Sequence, residues 1–163
     1  MMDKLIPYTI QLVGAYLGVF TAAMIFDAPK KQRHICGLIG FVSWIIYLFF
    51  HEHGQEGLAI YTAALFIAMC SQVMARKLKM PVTVTLLPSM FCLVPGISLF
   101  RAVYYLLRDN GHLFAYNMRL TLMTAGMIAL SIFTADFLTR SYYNMKKERQ
   151  AKREAIAKAD NEK

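Results

Sequence analysis

Charged side chains are scarce over most of this sequence. The first 143 residues hold 17 of the 28 Asp, Glu, Lys and Arg, or 12% of that stretch, and the other 11 crowd into residues 144–163. A soluble domain carries about 25% charged residues. A 163-residue chain that is 57% hydrophobic cannot hide its apolar side chains in one small core. An ordinary soluble enzyme is therefore excluded, and so is a disordered chain. Cysteine is also sparse. Cys36, Cys70 and Cys92 are odd in number, lie in apolar runs and have no metal-ligand spacing, so they read as small buried hydrophobes. No nucleophile–base pair, phosphate loop or nucleotide motif is visible, so neither catalysis nor a cofactor is expected. His51-Glu52-His53 offers too few ligands for a metal, which needs three or four.

What is abundant is long apolar runs. A bilayer core of about 30 Å needs about 20 apolar residues per helix. Charge-free runs cover Leu5–Phe26, Ile35–Phe50, Leu58–Ala75, Pro81–Phe100 and Leu120–Ala135. The second extends through His51 and the fifth through Asp136–Thr139. The expected fold is all-α, with five transmembrane helices over residues 1–143 and a charged cytoplasmic helical tail over 144–163. In that tail Glu148–Lys152 and Glu154–Lys158 form favourable i,i+4 pairs. The first run reads as a retained span rather than a cleaved leader, because it is long and Pro7 interrupts its start.

Loop charge then sets orientation and explains the net charge of +8. The loops at Lys30–Arg33 and Arg76–Lys79, together with Arg140 and the tail, hold 14 of the 18 basic residues. Lys/Arg excess marks the cytoplasmic side. The expectation is a cytoplasmic-membrane protein with its N-terminus outside and C-terminus inside, with lipid rather than nucleic acid as its surroundings. Tyr8, Tyr47, Tyr61, Tyr104 and Tyr105 fall near span ends, as an interfacial belt requires.

The fourth run carries Pro81, Pro88 and the pair Pro95-Gly96. Proline removes a backbone donor and clashes one turn back, and glycine adds freedom, so a break is expected at Pro95-Gly96. In lipid such a break persists only where protein or a water-filled cavity satisfies the backbone. It is either a kink that shapes packing or a half-helix site. In the second case the N–H groups of Ile97, Ser98 and Leu99, with the Ser98 hydroxyl, would face an anionic solute group. Arg101, one turn on, either clamps a carboxylate or snorkels to the interface near Arg108.

Asp136 is the only carboxylate well inside an apolar run. It binds a solute ammonium or a coupling proton, or else simply pairs with Arg140. Asp27 reads as a helix-end residue. Gly14 and Gly18 form a GxxxG pattern that permits close helix approach, and Gly37 and Gly40 make a second small face.

These features resemble the threonine/serine exporter family. The likeness lies in the five-span layout and in the string Leu87-Pro-Ser-Met-Phe-Cys-Leu-Val-Pro-Gly-Ile-Ser-Leu-Phe-Arg101, in which Pro88, Pro95, Gly96 and Ser98 match the family pattern. Ala75-Arg-Lys-Leu-Lys-Met-Pro81 is similar to its basic loop. It spans roughly residues 5–140 and is to the small subunit, equivalent to the C-terminal membrane half of single-chain members. The long charged tail departs from the pattern. The resemblance implies a secondary exporter of threonine, serine or a similar small carboxylate solute, working with a larger five-helix subunit. Some split systems of this type are linked to dicarboxylates such as succinate. A non-transporting scaffold or assembly subunit is the rival class, and association with a second copy of the chain is left open.

Overall fold

A computed structural model describes the backbone of residues 2–161 and the side chains of residues 8–146 and 149. The described residues form six helices and no strand: α1 Met2–Ile25, α2 Lys30–Glu52, α3 Glu56–Leu78, α4 Thr83–Met90, α5 Gly96–Leu107 and α6 Gly111–Asn161. Within them, Tyr8–Ile25 of α1, all of α2 and α3, and Gly111–Lys146 of α6 are long and apolar enough to cross a membrane. The expected fourth span is two helices instead of one. α4 has eight residues and α5 twelve, or about 12 and 18 Å of rise. Neither alone covers a core of about 30 Å.

The ends of the helices follow local chemistry. Asp27 and Asp109 adopt left-handed backbone conformations just past α1 and α5, and Lys79 does the same as the C-cap of α3. Aspartate tolerates this conformation better than most residues, so Asp27 is a helix-end residue. α6 begins nine residues before the expected fifth run. Asn110 explains the early start: its side-chain oxygen accepts from the Leu113 amide at 3.2 Å, a helix N-cap. Arg119, just before that run, therefore lies on α6. α6 then continues without interruption to Asn161. The two tail pairs Glu148–Lys152 and Glu154–Lys158 lie outside the described side chains.

α3 packs against α2, α4 and α6, and α4 is embedded among α1, α2 and α3. α5 touches α6 alone. The close approach of α3 to its neighbours follows from its small residues. Ala59, Ala63, Ala64 and Ala68 are all buried, around Ile67. Without a hydrophobic drive between helices in lipid, such small faces let dispersion contacts form over a large area.

The two glycine faces behave differently from each other. A Cβ at Gly14 or Gly18 would meet nothing within 4 Å, so the GxxxG of α1 makes no helix contact within the chain. The α1–α2 approach is made by the other face. A Cβ at Gly40 would lie 2.5 Å from Cγ2 of Val19, and one at Gly37 would lie 2.8 Å from the Tyr16 ring. Val19 is fully buried and stiff at χ1, so it cannot move aside. Gly40→Ala should therefore destabilise the protein by about 1–3 kcal/mol. Gly18→Ala should stay within about 0.5 kcal/mol of wild type. Thermal melting of both variants in the same detergent checks this contrast.

Candidate functional site

The break in the fourth run is longer and earlier than the Pro-Gly pair alone would make it. Pro88 lies inside α4, buried, and the helix stops two residues later at Met90. Phe91–Pro95 then turn. Phe91 donates to the Pro88 carbonyl at 3.2 Å, Leu93 to Met90 at 2.9 Å and Gly96 to Val94 at 2.8 Å. Pro95, with φ −79° and ψ 52°, has the dihedrals of an inverse γ-turn, which matches the last of these bonds. Gly96 is the first residue of α5 and its φ is not positive; a Cβ there would meet open space. The break thus rests on the prolines and the turn, and Gly96 is not required for it.

At the start of α5, the Leu99 amide donates to the Pro95 carbonyl at 3.0 Å. Leu99 is therefore not a free donor, contrary to expectation. The amides of Ile97 and Ser98 have no backbone acceptor among the described residues. Helix N–H groups point toward the N-terminus, so these two face the break.

A cavity of about 220 Å³ opens at this turn. At about 30 Å³ per water in the liquid, it has room for about seven waters. Cys92, Leu93, Pro95 and Ser98 form its side along the break. Trp44 and Tyr47 of α2, Glu56 and Ile60 of α3, and Tyr116, Leu120 and Thr124 of α6 close the remaining sides. The Trp44 and Tyr47 rings stand 4.9 Å apart. Among the described residues, Glu56 is the one charged side chain in the lining. It also borders, with Tyr116 and Arg119, an adjoining recess of about 150 Å³.

Pro95 and Ser98 are thus brought to one cavity, whereas Pro88 lies behind it in the bundle. The Ile97 side chain is 72% exposed and points away, leaving only its amide directed at the break. Arg101 lies on the exposed side of α5 and is not in the lining. Asp136 is also elsewhere. It lies twelve residues beyond Thr124 on α6, about 18 Å along the axis. Its Oδ2 pairs with Arg140 Nε at 2.8 Å, and its Oδ1 accepts from Gln72 Nε2 of α3 at 3.3 Å. Gly14 and Gly18 line a separate open groove with Gln11, Trp44 and Phe91.

Among the polar and aromatic lining residues, Trp44, Glu56, Tyr116 and Thr124 carry no site expectation from the sequence, and Tyr47 is expected in the interfacial belt. A signal existed for two of them. Tyr116, Leu120 and Thr124 recur every four residues and so share one helix face. Tyr61, also assigned to the belt, turns inward and donates to Thr134 of α6 at 3.1 Å. Among the described residues no group of three His, Cys, Asp or Glu comes together.

Four long apolar helices around a broken one, with the break opening on a polar-edged cavity, are the plan of a helical membrane transporter. The chain belongs to the threonine/serine exporter family: the family model described as Threonine/Serine exporter, ThrE, matches residues 11–138. No curated protein and no solved structure matches the chain.

Because the Asp136–Arg140 pair is substantially exposed, it is worth at most about 1 kcal/mol. Asp136→Asn should lower stability by no more than that, measured by thermal melting. It should also leave solute affinity at the cavity unchanged.

Proposed function

We propose that this chain is the small membrane subunit of a secondary exporter that moves threonine, serine or a similar small carboxylate solute out of the cell. The observation that carries this reading is the cavity at the break, where Pro95 and Ser98 meet residues of α2, α3 and α6. The solute carboxylate would accept from the Ile97 and Ser98 amides and the Ser98 hydroxyl at the positive end of α5. No donor there needs to be freed from another bond first.

In this reading the fourth run crosses the cytoplasmic membrane as the pair α4–α5, making five crossings. The N-terminus lies outside and the C-terminus inside, with the basic loops on the cytoplasmic face. The packing supports a moving part. α4 is held by three helices, whereas α5 packs on α6, which is itself seated on α3, so α5 is the part that would move against the anchored α4 around the turn. Such rocking around a site at a broken helix is how alternating access operates. The chain leaves its solute chemically unchanged, and the energy comes from an ion gradient or from the solute's own gradient. A larger five-helix subunit of the same family completes the transporter.

Uptake of labelled threonine, serine and succinate into inverted vesicles holding this chain and that subunit tests the reading. Ser98→Ala removes one hydrogen bond, a loss of about 1 kcal/mol. It should raise the KM for threonine by about fivefold. A scaffold subunit would instead show unchanged KM at every residue of the break.

A further inference from the structure

The cavity contains one charge that the exporter reading has not used. Glu56 stands in the first turn of α3 and lines the same space as Pro95 and Ser98. The cavity therefore has two electrostatic poles. The N-terminus of α5 supplies the positive one, equivalent to about half an elementary charge. The Glu56 carboxylate supplies the negative one. Glu56 has no ion-pair partner, since the pair recorded among the described residues is Asp136–Arg140. Arg119 borders the adjoining recess beside Glu56 but does not reach ion-pair distance. Glu52, the last residue of α2, is already engaged by the Tyr8 hydroxyl at 2.5 Å.

We infer that Glu56 holds the ammonium group of the solute and selects amino acids over dicarboxylates at this cavity. The inference rests on the exporter reading for the place of the carboxylate. An α-amino acid carries both charges on one carbon, so a single small cavity with opposite poles suits it. Its ammonium donates to Glu56 as a charge-assisted hydrogen bond. The Tyr47 and Tyr116 rings line the same space and offer π-faces to a cation. A dicarboxylate bound at α5 would bring its second negative charge toward Glu56, and like charges repel most where water is displaced. Asp136 does not take this role, because Arg140 and Gln72 occupy its oxygens.

An acidic residue in a first turn also steadies its helix, so the test must separate binding from stability. Trp44 is the only tryptophan of the chain and lines the cavity, so its fluorescence reports occupancy. The full chain in lipid nanodiscs is titrated with threonine, N-acetylthreonine, ethanolamine and succinate. Wild type should respond to threonine and much less to N-acetylthreonine, which lacks the ammonium. Glu56→Gln should weaken threonine by about tenfold or more, with succinate held no more weakly than before. Glu56→Asp, which keeps the charge, should recover part of the loss. A purely structural Glu56 would change all four probes alike.

Wild-type affinity for threonine in Glu56→Gln, or equal binding of threonine and N-acetylthreonine, overturns the inference. So does an unresponsive Trp44 with every probe. If ethanolamine binds in a Glu56-dependent way and threonine does not, Glu56 keeps its role and the amino-acid export reading falls instead.

Discussion

Every backbone N–H and C=O at the depth of an apolar bundle needs a partner, and in this chain the five residues Phe91–Pro95 are where a helix fails to provide one. An interruption of this kind exposed to lipid would leave groups costing several kcal/mol each. Here the turn answers part of the demand internally, through the bonds from Phe91, Leu93 and Gly96. Side chains add to it: Cys92 Sγ donates to the Ser89 carbonyl at 3.4 Å, and Ser43 of α2 lies 3.8 Å from the same sulfur. What remains must be met by whatever fills the adjoining cavity. The turn, the cavity and the polar residues facing it are one physical arrangement.

The rest of the bundle can be read as support for that turn. Met90 precedes it and Leu93 lies within it, and both are buried in the same cluster as Ile39 of α2, the small residues of α3 and Ala135 of α6. α4 ends in this cluster, so the break is anchored on its α4 side. On the other side the anchoring is weak, because α5 meets α6 alone and most of its residues are exposed. The turn thus joins a well-anchored half to a half that packs on one neighbouring helix among the described residues. Gly37 and Gly40 serve the anchored half by letting α2 seat against Tyr16 and Val19 of α1.

Much of this could be read from the sequence, for identifiable reasons. Apolar runs and the three prolines are strictly local signals, and they point to the helices, to the interrupted fourth run and to Pro95 and Ser98 as neighbours at the break. Helix starts set by polar caps were harder. A charge-free segment begins only at Leu120, although Asn110 carries the signal for an earlier start. The partners of the break were not legible at all from spacing along the chain. Trp44, Glu56 and Tyr116 come from three helices, and only packing brings them to one cavity. The GxxxG of α1 shows the converse error: the motif permits close approach, but which of two glycine faces is used depends on the neighbour, and here α2 supplies it.

Two carboxylates, Glu56 of α3 and Asp136 of α6, illustrate how context decides between identical chemistry. Asp136 looked the more unusual in sequence, because it interrupts an apolar run. Its own contacts engage it: Arg140 is on the next turn and Gln72 donates from α3. Nearby, Thr139 lies 3.9 Å from Met69 Sδ and Arg76 of α3 stacks over the Tyr143 ring at 3.5 Å. Together these contacts brace α3 against α6 at one end of the bundle. At the other end Glu56 and Tyr116, from the same two helices, border the cavity, and Gly57 beside Glu56 lets the helices approach closely: a Cβ there would lie 2.8 Å from Met123 Cε of α6. The same pair of helices thus holds one carboxylate in an ion pair and leaves the other facing a cavity, and the neighbours rather than the residue type decide which.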